Sequence, residues 1–175
     1  MPQIGRPEPT EYAPYFERYI SLVPDGDILS ALESQPTEMR RVLGGLPESR
    51  AGNRYAEGKW SIREVVGHVI DTERVFGYRA LCVARGDVTS LPGFDEKAYG
   101  RNAPHDAWPL AELLEEFDAV RQGHLLFFRH LRPEDWTRMG VANNLPVSPR
   151  ALAYNMAGHV IHHLNGLRDN YGVQV

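Results

Sequence analysis

The sequence predicts an all-α protein built as a four-helix bundle. Its long segments repeat apolar residues at intervals of three and four, which is the period of a helix that packs one face inward. Explicit start and stop signals flank two of these segments, and no run alternates convincingly between apolar and polar residues as a half-buried strand does. We therefore expect four long helices joined by loops, preceded by a short extra helix near the N-terminus.

The last long helix has the clearest predicted boundaries, at residues 148–171. Ser148 is a good N-cap, because its hydroxyl can accept a hydrogen bond from a free backbone N–H group of the first turn. Pro149 follows at the helical position where a missing N–H group does no harm, and Gly172 can end the helix in the left-handed conformation. The inward stripe of this helix contains Leu152, Met156, His159, His163 and Leu167.

A second long helix is predicted to begin after Ser61 and to end at Gly86. Ser61 and Glu64 have the spacing of a capping box, and Trp60 precedes them as the first half of a hydrophobic staple. This helix therefore carries its own start signal in the sequence. One of its stripes contains Val65, His68, Thr72 and Val75.

Proline sets the limits of the other helices. A short helix is expected from Pro14 to about Val23, and Pro36 favours either one bent helix or two short helices over residues 27–46. A further long helix is predicted over residues 109–131, where Pro133 ends it.

Three stretches are expected to be connections. These are residues 44–59, residues 87–107 and residues 136–147, and the last of them has a turn signal at Asn143-Asn144. The connection over residues 87–107 is long for a compact domain, which is typical of a segment that covers a site.

Length and composition favour a single domain over residues 1–175, with residues 1–24 as an N-terminal extension packed on the bundle. A net charge of −4 with interspersed signs offers no basic stripe for nucleic acid. The single Cys82 excludes an internal disulfide, which suits a reducing compartment. No apolar run approaches the length of a membrane span, and no signal peptide is recognised. We therefore expect a soluble cytoplasmic protein without nucleic-acid or membrane partners.

Three histidines lie on inward-facing helical stripes. His159 and His163 are one turn apart, which is the i, i+4 spacing of a helical metal-binding pair, and His68 has apolar neighbours on its own helix. His162 lies about 100° around the helix from His163, on a face of small and polar residues, and is read as supporting the site or facing solvent. Helical facing alone leaves two interpretations open, because buried histidines can also be hydrogen-bonded core residues.

Three pieces of the sequence carry a family likeness, namely KWSIREVVGHVIDTERVFGYRALCVARGD, LPGFDEKAY and GHVIHHLNGL. In this order they resemble the DinB-like superfamily, which includes YfiT-like metal-dependent hydrolases. The likeness extends over nearly the whole chain from about Ile28 onward. A bare HxxxH pair would be far less specific.

This resemblance implies a bundle of up-down-down-up topology that holds one divalent metal ion, zinc or nickel, through three histidines. Residue by residue, the first ligand of the family falls on His68, and its closing pair falls on His159 and His163. Relatives include S-transferases that use low-molecular-weight thiols and mycothiol-dependent maleylpyruvate isomerases. The resemblance therefore implies a small-molecule substrate, and either hydrolysis or thiol S-transfer as the reaction.

Three further residues are candidates for a catalytic or supporting role. Asp71 follows His68 by three positions and can orient its imidazole, while Asp95 and Tyr99 on the 87–107 connection can reach the opening of a metal site. Each has an ordinary alternative, as a solvent-facing carboxylate or as a turn or packing residue. The nucleophile itself is left to a water or a thiol activated by the metal.

The remaining histidines and the cysteine have structural interpretations. His124 lies on an apolar face without a second ligand one turn away, so we expect it to lie between helices. His105 and His130 are expected in a loop and at the surface, and Cys82 has no cationic neighbour at helical spacing that would activate it as a nucleophile.

Two classes of function follow from these observations. The first is a metal-dependent enzyme, and the second is a non-catalytic metal-binding or stress-response bundle that acts through assembly. A fourth protein ligand would favour the second class, and an open coordination position would favour the first. A homodimer is also expected, because four aromatic residues of the N-terminal segment can cover a second apolar face: Tyr12, Tyr15, Phe16 and Tyr19.

Overall fold

The computed structural model describes residues 4–173, and its four long helices form a bundle. The helices are α1 (Glu17–Ile20), α2 (Ile28–Leu43), α3 (Glu48–Ala51), α4 (Ile62–Ala84), α5 (Glu96–Asn102), α6 (Leu110–Arg129), α7 (Pro133–Trp136) and α8 (Pro149–Tyr171). The strands are β1 (Gly140–Ala142) and β2 (Leu145–Val147), and 3₁₀ turns cover Pro9–Glu11, Pro14–Phe16 and His105–Ala107. The predicted helical-bundle class is thus confirmed, with one small hairpin added.

The long helices are not arranged in chain order around the bundle. Both α2 and α4 pack against α6 and α8, so the first two long helices lie diagonally across from each other. The same holds for α6 and α8. The segments that join each diagonal pair must cross the end of the bundle, which explains their length.

The helix signals read from the sequence operate as predicted at α4 and α8. The hydroxyl of Ser61 accepts a hydrogen bond from the N–H group of Glu64, and the Glu64 carboxylate accepts one from the N–H group of Ser61. Ser148 caps α8 by accepting from the N–H group of Ala151 at 3.0 Å. Gly172 ends α8 with a φ of 62°, the left-handed conformation that glycine adopts without strain.

Two of the expected connections contain short helices. The stretch over residues 44–59 includes α3, and the long stretch over residues 87–107 includes α5 and a 3₁₀ turn. The side chain of Asp95 caps α5 by accepting from the N–H groups of Lys97 and Ala98, both at 3.0 Å. The expectation of plain loops was wrong here, because a single good cap suffices to start a seven-residue helix.

The absence of strands was also a wrong expectation. Residues 136–147 contain the antiparallel hairpin of β1 and β2, and its turn lies at the predicted Asn143-Asn144 pair. Both asparagines have positive φ angles, 53° and 60°, which is the conformation that a two-residue hairpin turn requires. Leu91 then joins the edge of the hairpin through backbone hydrogen bonds to Val141 and Asn143, so the hairpin and the 87–107 stretch form one unit.

The N-terminal segment packs on the bundle. The guanidinium group of Arg6 donates to the carbonyl groups of Ile20 and Val23, both at 2.7 Å, and α1 packs along α8. Tyr12 and Tyr19 are buried within the chain, so Tyr15 is the aromatic residue that remains exposed among those expected to form a dimer face. The homodimer stays a prediction.

None of the helices within residues 4–173 combines the length and the apolar character that crossing a membrane requires.

A buried polar network crosses the middle of the bundle and contacts all four long helices. Arg121 on α6 is fully buried and binds the carboxylate of Glu73 on α4 through Nε and Nη2, at 3.0 and 2.7 Å. Its Nη1 group donates to the side chain of Gln35 and to the carbonyl of Leu32, both on α2. Gln35 in turn donates to the carbonyl of Ala157 on α8 at 2.7 Å.

This network also explains why Pro36 does not split α2 into two helices. Proline has no N–H group, so the carbonyl of Leu32 four residues earlier loses its helical partner. Arg121 supplies that partner at 2.9 Å. One continuous helix therefore covers Ile28–Leu43, which is the first of the two arrangements that the sequence left open.

Replacing Glu73 by Gln is expected to destabilise the fold strongly. The variant leaves the charge of Arg121 buried without a carboxylate, which costs about 3–5 kcal/mol in the free energy of unfolding. Urea denaturation measures this, with Glu116→Gln as the matched control. Glu116 pairs with Arg74 in solvent, so its loss should cost less than about 1 kcal/mol. Equal costs for the two variants would contradict a special role for the buried pair.

The same pair predicts a direction for the pH dependence of stability. Burial alone would raise the pKa of Glu73, but the charge of Arg121 and the hydrogen bonds from His124 and Arg121 lower this pKa from 4.5 to about 2. The stabilisation is therefore complete above about pH 4.5 and is lost as the pH falls towards about 2. The stability difference between wild type and Glu73→Gln should shrink over this range.

Candidate metal centre

Three imidazole groups from two helices meet between α4 and α8. His68 projects from α4, and His159 and His163 project from consecutive turns of α8. The Nε2 atom of His159 lies 3.1 Å from Nε2 of His68 and 3.0 Å from Nε2 of His163. The structure thus brings together the three residues that the sequence analysis selected, with their ligand atoms within 4.8 Å of one another.

Hydrogen bonding within the cluster cannot satisfy all three side chains at once. An imidazole nitrogen offers one in-plane direction, either a lone pair or an N–H group, yet Nε2 of His159 is approached by two neighbouring nitrogen atoms. One bound cation would satisfy all three nitrogen atoms. Three ligands of a tetrahedral ion with bonds of ~2.0–2.1 Å lie roughly 3.3–3.4 Å apart, which is close to the observed separations. The residues present therefore fit a divalent ion.

The environment keeps these imidazole groups neutral, the form in which a nitrogen lone pair can bind a metal. Burial, with the nearby His105 and His162, lowers the pKa of His68 to about 4. Burial and the neighbouring imidazoles hold the pKa values of His159 and His163 well below the usual value for histidine. No carboxylate or thiol of residues 4–173 joins the cluster.

Aromatic side chains flank the cluster. The ring of Trp60 lies 4.7 Å from the ring of His68, between centroids, and the ring of Tyr19 lies 5.4 Å from that of His159 and 5.2 Å from that of His162. His162 is exposed and its ring is edge-on to that of His163, so the structure places it beside the cluster rather than within it.

Two cavities reach the cluster. One, of about 540 Å³, includes His163, Trp60 and Tyr171 in its lining. The other, of about 320 Å³, includes His159 together with Tyr19 and Asn155. Small molecules can therefore approach the imidazole groups by two routes.

The other candidate residues lie away from the three imidazoles or beside them. Asp71 faces His105, with 3.9 Å between the carboxylate and Nε2. Asp95 is occupied as the N-cap of α5, and Tyr99 is exposed next to the ring of Phe94. Their proposed catalytic roles therefore stay predictions without a contact in the cluster.

Two further histidines lie between helices. His124 approaches Glu73 at 3.3 Å and rests on Gly77, where a larger residue would clash with its ring. His105 was expected in a loop at the surface, but its ring packs on Gly67 of α4 and its Nδ1 atom is buried. That expectation was wrong because Gly67, a residue without a side chain, leaves room for the ring. His130 is exposed as expected.

Sequence reasoning missed the residues that enclose the cluster from other parts of the chain. Tyr19, Thr72, Arg79 and Asn155 all line the cavity at His159. Tyr19 and Arg79 lie far from the histidines in sequence, so no spacing rule points to them. Thr72 and Asn155 each lie one helical turn from a cluster histidine, which was a usable signal.

A family model described as the DinB superfamily matches residues 31–166, most of the chain. This chain belongs to the DinB superfamily. A DinB-type relative from Geobacillus kaustophilus, proposed to be a metal-dependent hydrolase, is 26% identical over 144 residues, which are 77% of each chain.

Two solved structures are similar in fold to this DinB protein. YfiT from Bacillus subtilis, proposed to be a metal-dependent hydrolase with an unusual four-helix bundle topology, matches with a TM-score of 0.75 and 16% identity over 97% of this chain and 95% of YfiT. The mycothiol-dependent maleylpyruvate isomerase matches with a TM-score of 0.65 and 16% identity. That match covers 88% of this chain but only 63% of the isomerase, and at such identities both likenesses concern the fold.

Gly158 allows α1 to approach the cluster closely. A Cβ atom at this position would overlap the backbone carbonyl of Tyr19, whereas a Cβ atom at Gly166 of the same helix would meet nothing within 4 Å. Tyr19 reaches His159 only because this approach is possible.

Replacing Gly158 by Ala should push α1 away and lower the free energy of unfolding by about 1–3 kcal/mol, the usual cost of overpacking. Gly166→Ala is the matched control, and better helix propensity should stabilise it by up to about 1 kcal/mol. Thermal and urea denaturation measure both effects. A stabilised Gly158→Ala variant would show that α1 does not pack as described.

Proposed function

We propose that this protein is a metal-dependent enzyme of the DinB type, which holds one divalent ion through His68, His159 and His163 and acts on a small molecule. The single observation that carries the proposal is the convergence of three buried, neutral Nε2 atoms on one point. The Geobacillus kaustophilus relative and YfiT, both proposed to be metal-dependent hydrolases, support it.

Zinc or nickel is the ion that this donor set favours. Imidazole nitrogen is a good ligand for both, whereas magnesium and calcium prefer carboxylate and carbonyl oxygen atoms, which the cluster lacks within the described residues. When bound, such an ion supplies a Lewis acid that lowers the pKa of a water or thiol and polarises an acceptor oxygen.

An enzyme is favoured over a non-catalytic assembly module. Three protein ligands leave a coordination position for a reactant, and structural zinc sites usually complete the set with a fourth protein ligand. Within residues 4–173 no fourth Cys, His, Asp or Glu joins the three histidines, and two cavities give access to them.

The two routes to the cluster favour group transfer between two bound molecules. Hydrolysis needs room for one organic substrate and a water, whereas S-transfer needs room for a thiol and for an electrophile. One route leads past His163 and the other past His159, so two organic molecules can be accommodated together. Transfer of a low-molecular-weight thiol is therefore the proposed reaction, and hydrolysis is the alternative.

The chain itself contributes orientation and exclusion of solvent. The rings of Trp60 and Tyr19 cover the flanks of His68 and His159, which keeps water from competing at the buried nitrogens. Helix α8 fixes two of the imidazoles one turn apart, so no loop movement is needed to assemble the cluster.

Two adjacent histidines provide the contrast that tests the metal assignment. His163→Ala removes one of three ligands and should abolish stoichiometric zinc or nickel binding. His162→Ala changes an exposed neighbour and should reduce affinity by at most about 10- to 100-fold, if that residue orients a ligand. Elemental analysis and zinc titration of protein purified without added metal measure both, with circular dichroism to verify folding. Metal retained by His163→Ala but lost from His162→Ala would exclude the proposed ligand set.

Turnover assays distinguish the reactions. Wild type should consume a low-molecular-weight thiol together with an electrophile, forming one thioether per thiol lost, and His163→Ala should not. Hydrolysis of ester or amide probes without thiol consumption would instead establish the alternative. Stoichiometric metal without turnover of any thiol, ester or amide probe would favour the assembly module.

A further inference from the structure

The cavity at His159 follows the groove between α4 and α8 away from the metal cluster. On α4 it is lined by Thr72, Phe76 and Arg79, which follow His68 on successive turns. On α8 it is lined by Asn155, one turn before His159. The Cα atoms of His68 and Arg79 are separated by eleven helical steps of 1.5 Å, or about 16 Å.

Arg79 is an unusual residue to find in such a cavity. It is only 6% exposed, yet no carboxylate within residues 4–173 lies within 4 Å of its guanidinium group. Its one hydrogen bond to the protein goes to the carbonyl of Pro92 at 2.7 Å, and the rings of Phe76 and Phe94 lie 5.8 Å away on the guanidinium carbon's own scale of contact. The other buried arginine, Arg121, has a carboxylate partner, as a buried charge normally requires.

Two further polar groups in the cavity are unpartnered. Thr72 Oγ1 and Asn155 Oδ1 are buried, and neither has a hydrogen-bond partner among the described residues. Their side chains are 3% and 1% exposed. Buried polar atoms are normally satisfied, so two of them beside an unpaired arginine indicate a binding site for a polar ligand.

We propose that this cavity binds a small carboxylic acid whose carboxylate pairs with Arg79 and whose reactive end lies at His159. The inference rests on the proposed function and adds the class of substrate to it. Phe16, Phe76 and Phe94 would hold the apolar body of the acid. Since the Arg79 side chain itself reaches several ångströms towards the cluster, that body would be roughly 10 Å long.

A single negative charge suits this site better than a phosphate group does. The cavity supplies one guanidinium group, and its only acidic lining residue, Glu96, is exposed and makes no ion pair with Arg79. A planar carboxylate can accept two hydrogen bonds from one guanidinium group. A volume of about 320 Å³ is at the small end of ligand cavities, which limits the substrate to a small molecule.

Calorimetric titration of the full-length protein as purified tests this proposal with two probe pairs, 3-phenylpropionate against its neutral amide and hexanoate against its neutral amide. Wild type should bind each acid about 10- to 100-fold more tightly than the amide. Arg79→Gln should remove this preference, and Arg79→Lys should keep part of it. The matched control is Arg85→Gln, which removes an exposed arginine at the end of the same helix and should behave as wild type.

The outcomes separate this proposal from the assignment of the metal. Repeating the titrations after chelation should leave the acid preference in place, because Arg79 and not the metal recognises the carboxylate. A preference that is absent in wild type, that survives Arg79→Gln in folded protein, or that disappears with the metal would overturn the proposal. None of these results changes the metal content that tests the three histidines.

A second variant covers the case in which Arg79→Gln does not fold. Thr72→Val keeps the shape of the side chain but removes the unpartnered hydroxyl, so the free protein should be as stable as wild type or more stable. Acid binding should nevertheless weaken several-fold. Unchanged acid binding with a lower melting temperature would show that Thr72 is merely structural and would count against the site.

Discussion

The buried guanidinium group of Arg121 is the interaction on which the architecture depends. It has no access to solvent, so it must find its partners inside the protein, and it finds them on α2 and α4. Gln35 extends the network to α8. One apolar cluster lies on each side of this polar layer along the bundle. Apolar packing tolerates sliding of one helix along another, whereas these directional bonds fix the register of all four.

This register is what positions the imidazole cluster. The network holds α4 at Glu73, five residues after His68, and holds α8 at the carbonyl of Ala157, two residues before His159. A shift of one helical turn would separate the nitrogen atoms by about 5.4 Å. The cluster therefore combines a rigid scaffold with cavities on two sides, and the unpaired charge of Arg79 marks one of those cavities as a place for a ligand. Stability and proposed chemistry lie next to each other in the same two helices.

Local signals in the sequence were sufficient for the helix ends and for the choice of histidines. Ser61, Ser148 and Gly172 act within one turn of their own position, and the four-residue spacing of His159 and His163 places both on one face. The outcome at Pro36 could not be predicted, because it depends on Arg121, which is distant in the chain. The diagonal arrangement of the long helices, and the contribution of Arg79 to the cavity, likewise depend on contacts between remote segments. Family resemblance named the ligand positions, while the cavities became visible only in three dimensions.

X-ray absorption spectroscopy of the zinc- or nickel-loaded protein tests the central claim most directly, because it reports the atoms bound to the ion. The account predicts three imidazole nitrogens at about 2.0–2.1 Å, with the remaining positions filled by exchangeable light atoms that a thiol can replace with sulfur. A first shell without imidazole scattering would contradict the assignment of His68, His159 and His163. A fourth, non-exchangeable protein ligand would contradict the proposed enzyme.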